Sequence, residues 1–198
     1  MVFLPDNTIT GLPTDDVMIG TPDSDEMYGF TGGDVVIGAE NIDLLYGNED
    51  ADQLYGSQAD DTLYGGQGDD ILFGGQGNDF LSGNKGNDTL YGDQGADTLT
   101  GGDGDDVVVI GRGTGGSNLL TADVMTDFDV TVDQILLLDG LSYADLTIES
   151  TETGGTVISE AVTGEVLIVL EGVAPEALTT DRFIFEQTPE PDEGLPPL

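Results

Sequence analysis

Aspartate residues recur at a fixed spacing of nine over the first half of the chain, and carboxylates at such a spacing are candidate ligands for a hard cation. The eleven residues are Asp16, Asp25, Asp34, Asp43, Asp52, Asp61, Asp70, Asp79, Asp88, Asp97 and Asp106. Carboxylate oxygens suit Ca²⁺, which takes about six to eight oxygen ligands, better than Mg²⁺, which demands tight octahedral geometry. Aspartate also forms turns by satisfying its own backbone. The constant phase with glycine over eleven copies favours the metal-ligand role.

The aspartates belong to a nonapeptide repeat that runs from residue 11 to residue 109 without insertion or deletion. Every unit begins with glycine, its sixth residue is aspartate, and its eighth is Leu, Val or Met. Because strand side chains alternate between faces, we expect the eighth residue to point inward and to build a ladder of stacked aliphatic side chains. Glycine at the first and fourth positions permits positive φ and close backbone approach in a tight turn.

The fourth position of the repeat separates a regular part from a less regular one. In the last five units it is glycine, and these residues are Gly68, Gly77, Gly86, Gly95 and Gly104. Among the first six units only Gly32 matches, and Thr14 and Ala59 tolerate a left-handed conformation poorly. We therefore expect the tightest cation sites, with these glycines in their turns, between residues 65 and 106. Sites toward the N-terminus should be weak or empty.

Charge and composition exclude several classes of function. The chain of 198 residues has 40 acidic and 3 basic residues, a net charge of -37, and no His or Cys. Nothing in it can neutralise nucleic-acid phosphates, and histidine- or thiol-based sites are excluded. No apolar run approaches the ~18 residues of a membrane span, and the N-terminus lacks the basic start of a secretory signal. A multivalent cation is the simplest means of cancelling this charge so that the apolar residues can pack.

The best units resemble a known family. GGQGDDILF (65–73), GGQGNDFLS (74–82) and GGDGDDVVV (101–109) resemble the nonapeptide G-G-x-G-x-D-x-L-x of the RTX (repeats-in-toxin) family. The resemblance implies an all-β fold, a right-handed parallel β-roll in which each unit is a six-residue turn followed by a short strand. Two units would complete one coil, and Ca²⁺ would bind between successive turns on the same side. Eleven units offer up to nine such sites.

The second half of the chain is expected to form a small β-rich cap. Strands are predicted at 134–138, 146–150, 156–160, 165–171 and 182–185, with a turn near Gly164 between the third and fourth. Residues 122–138 are similar to the post-repeat cap of RTX proteins, in which Asp123, Asp127 and Asp133 match carboxylate positions and imply a further Ca²⁺ site. The family pattern usually has glycine directly before the last aspartate, and this chain has Val132 there.

The predicted domains are an N-terminal cap (1–10), the β-roll (11–109), a C-terminal β cap and secretion region (110–186), and a disordered tail (187–198). The carboxylate pairs at positions five and six, such as Asp69 and Asp70, suggest glycosidase chemistry, but their recurrence is explained better by ligand and turn roles. Only ten residues precede Gly11, so no catalytic domain is expected.

Positions seven and nine should point outward and form the roll's two outer faces. The face built by odd-numbered units is mostly apolar, and one row of it contains Ile37, Tyr55, Phe73, Tyr91 and Val109. Either the C-terminal half covers this face, or a second molecule contacts it. The row is therefore a candidate surface for self-association.

The function expected from these features is that of a secreted, extracellular calcium-binding protein that folds on binding Ca²⁺ and has a structural or matrix role. By resemblance to the family, export would follow type I secretion without a cleaved N-terminal signal. Two alternatives stay open: a self-assembling filament or surface-layer subunit, and a folding and secretion module detached from an RTX enzyme.

Overall fold

The structure is a computed structural model that describes residues 2–3, by their backbone alone, and residues 7–185. The predicted tail (187–198) lies outside the described residues, as do residues 1 and 4–6 of the predicted N-terminal cap. The repeat region forms a β-solenoid of about six turns. Its strands are β1 (Val2–Phe3), β2 (Thr8–Thr10), β3 (Val17–Ile19), β4 (Glu26–Thr31), β5 (Val35–Ala39), β6 (Leu44–Glu49), β7 (Gln53–Gln58), β8 (Thr62–Gln67), β9 (Ile71–Gln76), β10 (Phe80–Lys85), β11 (Thr89–Gln94), β12 (Thr98–Asp103) and β13 (Val107–Ile110).

Odd-numbered and even-numbered repeat units build two separate parallel sheets, as the sequence predicted. The odd sheet runs β3-β5-β7-β9-β11-β13, and the even sheet runs β2-β4-β6-β8-β10-β12, with β1 antiparallel at its end. Each residue pairs with the residue one coil, or two units, later, so that Leu54 lies beside Leu72. The fold is therefore the all-β parallel β-roll that the repeat implies.

The core is a ladder of eighth-position side chains. These are Met18, Met27, Val36, Leu45, Leu54, Leu63, Leu72, Leu81, Leu90, Leu99 and Val108, and none is more than 1% exposed. The period of two along each strand turns them inward from both sheets. Burial of eleven such side chains supplies the apolar stabilisation of the roll.

The turns differ from the sequence expectation in two respects. The strands are longer than predicted: most include positions seven to nine and the first three residues of the next unit, which leaves positions four to six for the turn. Positive φ occurs at positions two and four, but at none of the position-one glycines. Position one requires glycine for space, because a Cβ at Gly56 would lie 2.6 Å from Asp61 Oδ2 and 2.6 Å from the Gly74 carbonyl oxygen.

The C-terminal half extends both sheets. Its strands are β14 (Val124–Met125), β15 (Gln134–Leu137), β16 (Leu146–Ser150), β17 (Thr156–Glu160), β18 (Val166–Leu170) and β19 (Phe183–Phe185), so all five predicted strands are present. Gly164, at φ 74°, lies in the loop that joins the antiparallel pair β17 and β18. The even sheet continues β12-β14-β18-β17-β16, and the odd sheet continues β13-β15-β19. Three short 3-10 helices (Tyr143–Asp145, Pro175–Ala177 and Thr180–Arg182) lie among these strands.

This topology does not place the C-terminal strands over the odd sheet's outer face, which was one of the two expectations for that face. At the N-terminal end of the face, Val17 and Ile19 are 66% and 53% exposed. Ile37, Tyr55 and Phe73 are half-buried among their neighbours along the row. Val109, which the sequence placed in the same row, is only 5% exposed and is therefore not available for a contact. No helix among the described residues is long and apolar enough to span a bilayer.

Candidate metal sites

The repeat aspartates lie in the turns between the sheets with their carboxylates turned away from solvent. All of those from Asp25 to Asp106 are buried, with at most 4% of each residue exposed, and only Asp16 in the first unit is partly open. Each precedes a strand, so the alternation of the strand fixes its direction, and from Asp34 onward the fourth position of the turn is left-handed. The structure thus places the predicted ligands in two regular rows along the roll.

One oxygen of each carboxylate is engaged in the backbone of the roll. Oδ1 of Asp70 accepts a hydrogen bond from the Asp52 N–H, one coil earlier, at 2.8 Å. Eleven such bonds of 2.7–3.0 Å join successive aspartates within each of the two rows. The acceptors are Asp34 to Asp106, Asp123 and Asp133. These bonds satisfy buried N–H groups at the turns and hold each carboxylate in a single orientation.

The other oxygen, Oδ2, is buried and accepts no hydrogen bond in nine consecutive units. The nine are Asp34, Asp43, Asp52, Asp61, Asp70, Asp79, Asp88, Asp97 and Asp106. A buried carboxylate oxygen without a partner is destabilising, and burial of the charge without a counter-ion costs far more. The residues present therefore fit a bound cation, since a metal ion supplies the partner that each Oδ2 lacks.

In the first two units Oδ2 does have a partner. Asp16 Oδ2 accepts the Leu12 N–H at 2.6 Å, and Asp25 Oδ2 accepts the Thr21 N–H at 2.6 Å and the Thr21 hydroxyl at 3.0 Å. Leu12 and Thr21 occupy position two. In the nine other units, position two has positive φ: Phe30, Ala39, Asn48, Ser57, Gly66, Gly75, Asn84, Asp93 and Gly102. The conformation of position two therefore separates units with a satisfied Oδ2 from units with an unpaired one, a distinction that the sequence analysis did not make.

Backbone carbonyl groups line the gaps between successive turns. Gly68, Gly77, Gly86, Gly95 and Gly104 all have positive φ, between 122° and 154°. A Cβ at Gly86 or Gly104 would overlap the carbonyl oxygen of the glycine one coil earlier. Among the described residues no three acidic side chains converge as a metal site. A Ca²⁺ ion here would thus have Asp Oδ2 and backbone carbonyl oxygens as ligands, a set of hard oxygens that suits this cation.

Units four to six form the same turn without glycine. Asn41, Asp50 and Ala59 take the fourth position with φ of 65°, 74° and 79°. Ala59 has no side-chain group that compensates for the left-handed strain, which costs about 1 kcal/mol. The structural boundary between unit types lies between Asp25 and Asp34, earlier than the expected boundary at residue 65. The ranking of affinities itself stays a prediction.

The predicted cap aspartates divide into two roles. Asp123 and Asp133 are buried and continue the two rows, because their Oδ1 atoms accept the N–H groups of Asp97 (3.0 Å) and Asp106 (2.9 Å). Asp133 Oδ2 is already engaged, since it accepts the Asp129 N–H at 2.7 Å. Asp127 accepts the Gly101 and Gly102 N–H groups, each at 2.9 Å, and so satisfies two donors near the end of β12.

Position five carries a second ladder that the sequence analysis missed. Asp60 accepts the Asn78 N–H at 2.7 Å, Asp69 accepts the Asn87 N–H at 2.8 Å, and Asn78 accepts the Ala96 N–H at 3.1 Å. The signal in the sequence is the run of Asp or Asn at this position in units six to nine. These side chains are exposed, in contrast to those at position six.

The comparisons with known proteins agree with this geometry. A family model described as the RTX calcium-binding nonapeptide repeat (4 copies) matches residues 10–45, 28–63, 46–81, 73–108 and 82–116, which together make up more than half of the chain. The chain belongs to the RTX calcium-binding repeat family. The resemblance inferred from the repeats is confirmed, and the chain is a calcium-binding β-roll protein.

Three solved structures are similar to this RTX chain at low identity. Extracellular lipase LipA from Serratia marcescens is 16% identical, with 89% of this chain covered and a TM-score of 0.49, and the chain spans only 40% of the lipase. The AlgE6R2 subunit of the Azotobacter vinelandii mannuronan C5-epimerase is 24% identical, with 92% and 94% of the two chains covered and a TM-score of 0.39. The AlgE6R3 subunit is 23% identical, with 93% and 86% covered and a TM-score of 0.29. No curated protein matches the chain.

Burial makes the RTX carboxylates resist ionisation when no cation is bound. It raises the pKa of Asp52, Asp61 and Asp88 from 3.8 to about 7, and that of Asp70 to about 8. The charges of neighbouring aspartates in the same row raise these pKa values further, while the backbone N–H donors lower them. The pKa of a carboxyl falls when a cation binds beside it, so Ca²⁺ would restore the ionised form.

Proposed function

We propose that this protein is an extracellular, non-catalytic RTX protein whose roll folds when Ca²⁺ binds and which has a structural or matrix role. The observation that supports the proposal best is the set of nine buried Oδ2 atoms without partners. Nine Ca²⁺ ions would change the formal charge of the chain from -37 to -19.

Folding and binding are expected to be one event. Without Ca²⁺ the stacked carboxylates of each row repel one another and their turns lack ligands, as in other domains that a metal organises. Extracellular calcium modules bind at ~10⁻⁴–10⁻³ M. A chain with such sites stays unfolded in a low-calcium cytosol, which permits export, and folds outside the cell.

A calcium titration followed by far-UV circular dichroism tests this function. The full chain in excess chelator should lack the β spectrum of the roll and should gain it cooperatively on addition of Ca²⁺, with Mg²⁺ much less effective. Asp79→Asn should raise the calcium midpoint, whereas Asp105→Asn, which removes an exposed carboxylate at position five, serves as the matched control. A β spectrum that persists in chelator at neutral pH would overturn the proposal.

A second function, self-association through the odd face, is favoured by one specific observation. Positions seven and nine of the odd sheet contain no charged residue in a chain of net charge -37, and Val17 and Ile19 at its N-terminal end are exposed. Tyr55, Phe73 and Tyr91 stack along this face with ring centroids 4.7 and 4.4 Å apart. A second copy of the chain could pack against such a face, because the face itself carries no charge that would repel an identical face.

Phe73→Lys separates the possibilities for that face. If it is an interface between copies, the substitution should abolish association, measured as solution mass by light scattering in Ca²⁺, and should leave calcium-dependent folding nearly intact. Tyr64→Lys, on the even sheet, is the matched control. A wild-type mass that is monomeric at every calcium concentration would contradict this second function.

A further inference from the structure

The junction between the last repeat coil and the C-terminal cap differs from the gaps inside the roll. At Gly92, the place that a Cβ would occupy lies 2.6 Å from Asp97 Oδ2 and 3.1 Å from Asp123 Oδ2. At every other position-one glycine, the three nearest atoms include a carboxylate oxygen of one aspartate only. Two carboxylates therefore face the same gap at the junction.

Asp97 Oδ2 is the unpaired atom in this gap. Asp97 is 1% exposed, and its Oδ2 accepts no hydrogen bond. Asp97 Oδ1 accepts a hydrogen bond from the Asp79 N–H at 2.8 Å. The backbone N–H of Asp97 donates to Asp123 Oδ1 at 3.0 Å. The carboxylate is held from both sides and cannot turn toward solvent, so a cation is the partner that fits it.

A further acidic residue, Asp93, directly follows Gly92 in the chain. Asp93 is the only acidic residue at position two in the eleven units. It is half-buried, has φ of 66°, and its side chain accepts no hydrogen bond from the described residues. The Cβ position of its neighbour Gly92 lies within 3.1 Å of both Asp97 Oδ2 and Asp123 Oδ2, so the charge of Asp93 is carried at the edge of this gap.

We propose that the gap between Asp97 and Asp123 is the tightest calcium site of the chain and the first to fill, and that Asp93 sets its affinity. The proposal rests on the calcium-dependent folding proposed above. The affinity of oxygen-ligand calcium sites rises with the negative charge around the ion. Asp93 acts through its charge at short range and need not touch the ion.

Occupancy of this site would attach the cap to the roll. Asp97 immediately precedes β12, and Asp123 immediately precedes β14, the strand that begins the extension of the even sheet. An ion shared by these two carboxylates fixes β14 in register with β12, where Thr98 pairs with Val124. The end of the roll is then covered before the weaker sites toward the N-terminus are filled.

The test compares Asp93→Asn with Asp103→Asn in the full chain. Both substitutions remove one negative charge, but Asp103 is an exposed residue at position three. Calcium binding is measured by calorimetry and by terbium luminescence, which report on sites rather than on folding alone. We expect Asp93→Asn to weaken the tightest step by about tenfold or more, and Asp103→Asn to change it by less than about twofold.

A second variant tests whether an acidic residue at position two increases the calcium affinity of another coil. Ser57 occupies position two of unit six with φ of 87°, so Ser57→Asp should create a second tight step without a new clash at the turn. Equal shifts of the tightest step in Asp93→Asn and Asp103→Asn, or no added tight step in Ser57→Asp, would overturn the inference while calcium binding stands. A wild-type chain that binds no Ca²⁺ would overturn the proposed function as well.

Discussion

Acid alone is expected to assemble the roll in the absence of calcium. Burial raises the pKa of Asp70 to about 8, and the pKa values of Asp52, Asp61 and Asp88 to about 7, from 3.8. A carboxyl whose pKa is higher in the folded state stabilises that state fully below the unfolded pKa, and this stabilisation is lost as the pH rises through the folded pKa. The metal-free roll is therefore most stable near pH 4 and becomes unstable between about pH 6 and pH 8.

The expected magnitude is large. Between pH ~5 and ~6 each of these four carboxyls takes up nearly one proton on folding, because it is protonated in the roll and ionised in the unfolded chain. Each proton changes the free energy of unfolding by about 1.4 kcal/mol per pH unit, so the four together change it by roughly 5 kcal/mol per pH unit. That is comparable with the whole stability of a small domain, about 5–15 kcal/mol.

Circular dichroism in chelator, recorded from pH 8 down to pH 4 with light scattering at each step, checks this expectation. The β spectrum should return between pH 7 and pH 5 in particles of monomer mass. With Ca²⁺ present the dependence should reverse, because the metal binds the ionised carboxylates and competes with protons. A chain that stays unfolded in chelator at every pH, or that recovers β structure only in aggregates, would refute the argument from buried carboxylates.

Asp70→Asn isolates one carboxylate in the same experiment. The amide imitates the protonated carboxyl, so the variant should be more stable than the wild type in chelator at pH 7 and should bind Ca²⁺ more weakly. Asp103→Asn, at an exposed position outside the two rows, is the control and should show neither effect. Loss of stability in chelator for Asp70→Asn would mean that the buried charge is not the obstacle to metal-free folding.

Three further outcomes are expected. Asp88→Ala should raise the calcium midpoint for folding clearly and Asp16→Ala should not, as measured by calcium titration, because Asp16 Oδ2 is already hydrogen-bonded; equal effects would contradict the ranking. Leu72→Ala, at a fully buried position, should lower the stability of the calcium-loaded roll by about 2–5 kcal/mol in urea unfolding, and a change below 1 kcal/mol would show a loosely packed ladder. Thr21→Gly removes the hydroxyl donor to Asp25 Oδ2 and permits the left-handed conformation that would turn the N–H of residue 21 away from it, so calorimetry should find one additional calcium ion.

The repeat and its consequences were readable from the sequence because each rests on a short-range rule. The period of nine and the alternation of strand side chains predicted a buried ladder such as Leu54 and Leu72, and the resemblance of the repeat to its family implied the parallel β-roll. The strands of the second half were also predicted from alternation, except for β14, which has only two residues and no pattern of its own.

The features that were missed depend on contacts between coils. That Oδ1 is hydrogen-bonded and Oδ2 is not can be predicted only if one knows which N–H lies one coil away. The burial of Val109 can be predicted only if the position of the cap is known. Of the two reasons given for glycine at position one, close backbone approach is confirmed, since an aspartate oxygen and a carbonyl from the next coil leave no room for a Cβ, whereas positive φ occurs at none of these glycines. A nonapeptide pattern fixes which residues share a face, but not which atoms fill the space between coils.

The two oxygens of each repeat aspartate from Asp34 to Asp106 have different environments. Oδ1 holds adjacent coils together by accepting the N–H of the aspartate one coil earlier, so the carboxylate cannot be removed without loss of a turn contact. Oδ2 is left unpaired wherever position two is left-handed, as at Gly66, and is paired where it is not, as at Thr21. The same side chain thus stabilises the coil through one atom and destabilises it through the other until a cation is bound. A left-handed residue at position two is therefore the local condition under which the protein leaves Oδ2 without a partner of its own.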